Sequence, residues 1–377
     1  MAKHTRAFID FYDKHKISPV SQDVSDLDAH YARRQALYRQ LGMVPSFLKG
    51  KNVLEFGPGS GHNALYTANL NPARYVLVDA NPTGLAETRK RLENNDTEIV
   101  VVESFIEDFK TDERFDLVMC EGCIPWQIDP QGILKNVARF VAPGGAIFIT
   151  CIDEISALGD NLRRLEAHIL IDKSDPIDKQ VAQLLPVFKN DLDSLSGMSR
   201  PYEDWILDQI LQPFIGNYFS IEEAITTLDA EFDVHAASPD FLTDWTWYKE
   251  VPLRATSDNQ LGIRSYRENL HNFIDYRCLF PPRHEANNMH LAELIREFTK
   301  TELQYETTGK DELLAPIRSQ LQELAKAIGE FSQQTAASVT DFEKGLGTYL
   351  ATGEFPALPD FTPFFGRGQQ YLSFIRK

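Results

Sequence analysis

The chain has 377 residues, 43% of them hydrophobic and 25% charged, enough to bury an ordinary globular core without disulfide staples. Its 55 acidic against 38 basic residues give a formal net charge of -17 and a pI near 5.0, which opposes a long polyanion, so no nucleic acid is expected as partner or substrate. The apolar runs are too short to cross a bilayer, the opening MAKHTRAFIDFYDKHK lacks the apolar stretch of a signal peptide, and the four cysteines make no disulfide framework; the expectation is a cytoplasmic protein with no membrane partner.

Residues 1–50 carry helical periodicity in two segments, one around Phe8, Ile9, Phe11 and Tyr12 and one through Leu27, Tyr31, Leu37, Tyr38 and Leu41, and read as an N-terminal helical lid. Over 51–152 the runs KNVLEF, ARYVLVD, EIVVVES, FDLVMCE and GAIFITC alternate with helical stretches. Short, nearly apolar runs of this kind are what a parallel sheet covered on both faces requires. Residues 153–220 turn helical, with NLRRLEAHILI and YEDWILDQILQPFI at helix spacing and Pro176, Pro186 and Pro213 separating the segments. Over 221–252 a helix, IEEAITTLD, opens after Ser220 as N-cap and leads into a strand, EFDVHAAS. Long helical patterns such as HLAELIREFTKTELQYE fill 253–362, and 363–377 bring a last strand back to the sheet. With no internal repeat, the two helical blocks read as insertions into one compound α/β domain.

The chemistry concentrates in VLEFGPGSGHNAL, where a buried strand delivers Gly57, Gly59 and Gly61 into a helix beginning near His62. Glycines there permit positive φ and let a ligand approach the backbone closely. About twenty residues on, Asp79 ends the second strand, placed to accept hydrogen bonds from both ribose hydroxyls of a nucleoside cofactor. A dinucleotide fingerprint needs glycine where His62 stands. Glu55, two residues before the first glycine, would crowd a pyrophosphate but can accept from an ammonium group, which S-adenosylmethionine carries without any phosphate.

The succession VLEFGPGSGH, VLVDANP, VVESFIEDF, FDLVMCEGCIPW and VARFVAPGGAIFIT, over roughly residues 50 to 152, resembles the motifs of class I (Rossmann-like) S-adenosylmethionine-dependent methyltransferases. The resemblance implies a doubly wound, seven-stranded, mostly parallel sheet in which an antiparallel final strand, QQYLSFIR, inserts beside EFDVHAAS. It also implies that Glu55 and the turn Gly57, Pro58, Gly59 and Gly61 hold the methionine part, and Asp79, Ala80 and Asn81 the ribose side. Ser104, Phe105 and Ile106 would border the adenine, with Glu121 and Gly122 closing the site. An acidic residue common near position 105 is here Phe105, which leaves Glu107 or Asp108 to read the adenine amino group.

Methyl transfer needs an aligned acceptor and, for a hydroxyl, a base. Glu121 is the first candidate and His62 the second. Candidates for the acceptor pocket are Trp126, the group Trp245 and Trp247 (whose alternation also reads as a strand with one packed face), the polar stretch with Tyr276, Arg277, His284 and Asn288, and Tyr31 and Arg34 on one face of the N-terminal helix. The density of donors favours a small polar acceptor such as a sugar or other hydroxylated metabolite. No second CxxC or close histidine pair accompanies Cys120 and Cys123, so no metal is expected. Two rival readings stand beside the methyltransferase: an NAD-dependent oxidoreductase, and a non-catalytic S-adenosylmethionine-binding scaffold using the C-terminal helices, such as 313–331. The same helices would serve a homodimer of the enzyme.

Overall fold

The computed structural model describes Phe11, Tyr12, Lys14, His15 and residues 22–377 apart from Asn94; the expected helical residues Phe8 and Ile9 lie outside these. The chain runs through α1 (Leu27–Gln40), β1 (Asn52–Phe56), α2 (His62–Asn69), β2 (Arg74–Asp79), α3 (Pro82–Arg91), β3 (Glu98–Glu103), β4 (Phe115–Cys120), α4 (Pro130–Ala138) and β5 (Val141–Cys151). Three helices follow, α5 (Leu158–Leu170), α6 (Ile177–Ser194) and α7 (Tyr202–Trp205), the last running into a π-helical turn over Ile206–Leu211. Then come α8 (Ile221–Leu228), β6 (Phe232–Ser238), α9 (Asp258–Asn269), α10 (Glu285–Thr308), α11 (Leu314–Gly329), α12 (Gln333–Thr352) and β7 (Gln370–Arg376).

Two compact units divide the chain. One holds the residues up to Ile152 together with Asn217–Tyr266 and Gln369–Lys377, and the other holds Asp153–Gly216 and Arg267–Gly368. The first unit contains the seven-stranded sheet, in the order β3-β2-β1-β4-β5-β7-β6. All pairings are parallel except those of β7, which is antiparallel to both β5 and β6. This is the order and direction of strands that the sequence resemblance implied. The order reverses between β1 and β4, and in open α/β sheets the crevice at the carboxyl ends of such strands receives the ligand.

Odd-numbered residues of β1 and β2 face the helix layer of α1 and α2. Val53, Tyr75, Leu77, Leu117 and Phe148 from four strands bury there against Tyr38 and Leu41 of α1 and Tyr66 of α2. Each side chain so buried contributes roughly 1.5–3 kcal/mol. Tyr38 is fully enclosed, its ring edge-on to Tyr66 and to Phe148, so α1 belongs to the core and holds its remaining side chains at a fixed height above the strand ends.

In the second unit Leu184, Phe188, Trp205, Ile206, Ile210 and Phe365 form an apolar cluster. Arg163 is fully buried, pairs with Asp191 at 2.9 Å and donates to the carbonyls of Phe364 and Thr362 at 2.7 and 3.0 Å. Pro186, expected to separate segments, lies inside α6. That helix tolerates the loss of one backbone bond because its apolar face is packed on both sides of the proline. The expected strand through Trp245 and Trp247 is also corrected: the segment after β6 is loop and turn, with Trp245 94% and Trp247 56% exposed. Among the described residues no helix is long and apolar enough to cross a membrane.

Candidate active site

Strand β1 ends by placing Glu55 on the face shared with α1 and then enters the turn Gly57-Pro58-Gly59-Ser60-Gly61. The turn needs its glycines. Gly57 has φ +71°, and a Cβ there would fall 2.0 Å from Cys123 Sγ; Gly61 has φ +76° and caps α2, where a Cβ would meet Thr88 Oγ1 at 2.7 Å. Thr88 of α3 donates to the Gly59 carbonyl at 2.9 Å, and the Gly57 N–H donates to the Val78 carbonyl at 2.8 Å, so the turn is tied to β2 and α3. Pro58 is buried in it. His62 is buried as well, with Nδ1 2.6 Å from Ser60 Oγ, which makes its ring part of the turn's own packing.

Asp79 at the end of β2 accepts the N–H groups of Gly59 (3.1 Å) and Asn81 (2.8 Å). Burial pushes its pKa up, against those backbone N–H groups and that of Ala80. Asn81 caps α3, accepting from Thr83 and Gly84 N–H at 3.0 and 3.4 Å. Past β3, the Ser104 N–H donates to the Asp79 carbonyl at 2.9 Å, and Ser104 Oγ donates to the Phe105 carbonyl. Phe105 and Ile106 are half-buried beside this, while Glu107 and Asp108 are exposed. The residues expected to border the ribose and adenine are thereby adjacent at the ends of β2 and β3.

Glu55 is buried and accepts from the Tyr75 hydroxyl. Burial, then the negative charges of Glu121 and Asp79 opposed by Arg34, push its pKa up to about 8. Beyond β4, Glu121 forms a bidentate pair with Arg34 of α1, Nη1 to Oε2 at 2.9 Å and Nη2 to Oε1 at 2.6 Å. Burial works against the Arg34 charge, but Glu121 outweighs it and holds the guanidinium pKa well above its usual value. Arg34 Nε is buried without a hydrogen-bond partner. Gly122 is exposed and its N–H donates to Thr150 Oγ1 at 2.7 Å. Tyr31, three residues before Arg34, meets Tyr66 edge-on at 5.6 Å.

The site thus gathers Glu55, Asp79 and Glu121 around a glycine turn with Arg34 as the neighbouring cation. That donor set fits S-adenosylmethionine. The carboxylates suit a sulfonium and an ammonium, and a pyrophosphate would face Glu55. Tyr75 and Thr150 were not singled out by the sequence motifs. Tyr75 becomes legible once β1 and β2 are aligned in parallel, because the register pairs it with Val53 on the face of Glu55.

The other expected acceptor residues are placed differently. Trp245 and Trp247 stand exposed on the loop after β6. Tyr276, Arg277, His284 and Asn288 belong to the second unit, where their polar groups have structural partners. Arg277 pairs with Asp275 at 2.7 Å and donates to Ser338. His284 caps α10, Asn288 is fully buried and donates to the carbonyls of Arg267 and Glu268, and the Tyr276 N–H donates to the Phe365 carbonyl.

The methyltransferase-domain family matches residues 54–149. The N-methyltransferase NodS from Bradyrhizobium japonicum WM9, solved with S-adenosyl-L-homocysteine, is similar over 60% of this chain and 89% of its own, at 16% identity and a TM-score of 0.37. A cypemycin N-terminal methyltransferase of Streptomyces is 28% identical over 151 residues, 37% of this chain and 60% of that enzyme. Demethylluteothin O-methyltransferase of Streptomyces thioluteus is 31% identical over 205 residues, 50% of this chain and 84% of that enzyme. With that extent of likeness, and with a sheet and glycine turn of the matching kind, the chain belongs to the class I S-adenosylmethionine-dependent methyltransferases.

Proposed function

We propose that this enzyme methylates a hydroxyl, or an amine, of a small polar metabolite, hydroxylated compounds such as sugars and natural-product intermediates being the first to test. The observation that carries the reading is the convergence of Glu55, Asp79 and Glu121 on the glycine turn at the sheet's switch point. Two relatives support the range of acceptor atoms, one named as an O-methyltransferase and one as an N-terminal methyltransferase.

When bound, S-adenosylmethionine would supply a methyl group open to in-line attack by an acceptor lone pair, with the thioether S-adenosylhomocysteine as leaving group, so that the C–S bond breaks as the O–C or N–C bond forms. The chain's residues have three tasks. Asp79 and the turn fix the nucleoside, Glu55 receives the ammonium, and Glu121 is our candidate to take the proton of a hydroxyl acceptor. Although both Glu121 oxygens accept from Arg34, each retains a lone pair for a ligand. His62, its ring engaged with Ser60, is the second candidate.

Titration calorimetry with S-adenosylhomocysteine, and separately with NADH, tests the cofactor assignment, with Asp79→Ala as control. Saturable S-adenosylhomocysteine binding, weakened about tenfold or more by loss of the ribose contact, is expected. Transfer of a labelled methyl group to hydroxylated and amine panels then tests the acceptor class. NADH binding without S-adenosylhomocysteine binding would overturn the reading.

A further inference from the structure

Trp126 has a backbone that a large side chain rarely adopts, with φ +72°. Among the described residues the other non-glycine with positive φ is Asn71, an amide that tolerates the left-handed region. Such a conformation persists where the surroundings over-determine it. Here they do. Ile124 and Pro125 are buried just before Trp126, Gln127 Nε2 donates to the Cys123 carbonyl at 2.9 Å, and Asn217 Nδ2 donates to the Gln127 carbonyl at 3.1 Å.

This loop leaves the carboxyl end of β4 through Glu121 and Gly122, the same end at which β1 and β2 deliver Glu55 and Asp79. Yet the indole it carries is only half-buried. Core packing would account for an enclosed ring and does not account for one held half-open by a pinned, strained loop. Tyr218 stands beside it, ring centroids 5.4 Å apart and planes inclined at 63°. Two rings inclined in this way suit a flat ring that lies along one and meets the other at an angle. The side-chain amides of Gln127 and Asn217 each commit one N–H to a loop carbonyl, so both serve to pin the loop that carries the indole.

We propose that Trp126 and Tyr218 are the specificity-determining walls of the acceptor subsite and that the preferred acceptor is a phenol-type aromatic hydroxyl; this rests on the methyltransferase reading above. It narrows the acceptor class to compounds with an open ring face and places sugars second. The backbone strain at Trp126 serves to aim the indole.

The test uses the full chain saturated with S-adenosylhomocysteine, with 4-nitrocatechol and methyl glucoside as calorimetric probes. Wild type should bind the catechol about tenfold tighter than the glucoside; Trp126→Ala and Trp126→Gly should each lose about tenfold in catechol affinity, and Trp126→Phe should stay within about threefold. S-adenosylhomocysteine affinity should be unchanged in all three variants. The glycine variant should melt above the alanine variant, because both lack the indole and only glycine relieves the left-handed backbone. A wild type that holds S-adenosylhomocysteine but binds the glucoside as well as the catechol, or binds neither, overturns the proposal. So does an alanine variant with full catechol affinity. Failure of S-adenosylhomocysteine itself to bind overturns the underlying reading, and the proposal with it.

Discussion

Ionisation of Glu55 is opposed by its burial and by the charges of Glu121 and Asp79, against which the Arg34 guanidinium and the hydrogen bond from the Tyr75 hydroxyl work. With its pKa pushed up to about 8, much of the population carries the proton at neutral pH, whereas an ammonium ligand prefers the carboxylate. Ligand binding should therefore release a proton, and S-adenosylhomocysteine affinity should rise from pH 6 toward pH 8. Calorimetry in buffers of different ionisation enthalpy measures this directly. Glu55→Gln should weaken binding about tenfold at pH 8 and flatten the pH dependence. Glu55 and Asp79 were legible in the sequence because glycine spacing and strand ends index them. The Arg34–Glu121 pair, between residues 87 positions apart, follows from packing α1 on the sheet, which no local pattern encodes.

At the scale of an element, the start of α8 has a complete reciprocal cap: the Glu223 N–H donates to Ser220 Oγ at 3.2 Å, and the Ser220 N–H donates to Glu223 Oε2 at 2.8 Å. Ser220→Ala should cost about 1 kcal/mol and lower Tm by about 2 °C in a thermal melt, with cofactor binding unaffected. This helix start was readable from Ser220 and the acids after it, since capping is local chemistry. Two other elements were misread because local chemistry does not decide them. Pro186 is kept helical by the packing of α6 around Val181, Leu184, Phe188 and Leu192. The alternation of Trp245 and Trp247 is shared by strands and extended loops, and only a neighbouring strand to pair with would have made it a strand.

Over the whole molecule, several buried carboxylates act on stability in one direction. Glu302 of α10 is fully buried with neither carboxylate oxygen hydrogen-bonded; burial and then Glu306 push it up to about 8. Burial and then Asp191 push Glu166 up to about 7, and Glu55 shares the direction. A carboxyl raised on folding contributes stability that is complete below its unfolded pKa near 4.5 and is lost as pH rises through the folded value. Tm should accordingly fall between pH 5 and pH 8.5, and Glu302→Leu should raise Tm at pH 8.5 more than at pH 5. Glu306 works in the other window. Burial opposes its charge, but Arg164 and His168 hold it down at about 2, so its contribution disappears only as pH falls below the ordinary carboxylate range. Equal Tm for Glu302→Leu and wild type across that span would count against this account.

Within the sheet, β6 is bonded to β7 alone, and β7 follows α12 in the chain. A ribosome therefore makes β6 long before its partner. The 131 residues between Ser238 and Gln370, made at about 5–20 per second, leave on the order of ten seconds in which β5 presents an open edge and β6 has nothing to pair with. A nascent chain stalled anywhere between β6 and β7 would expose both, so slower translation across α9 to α12 lengthens the time for which these edges stay unpaired.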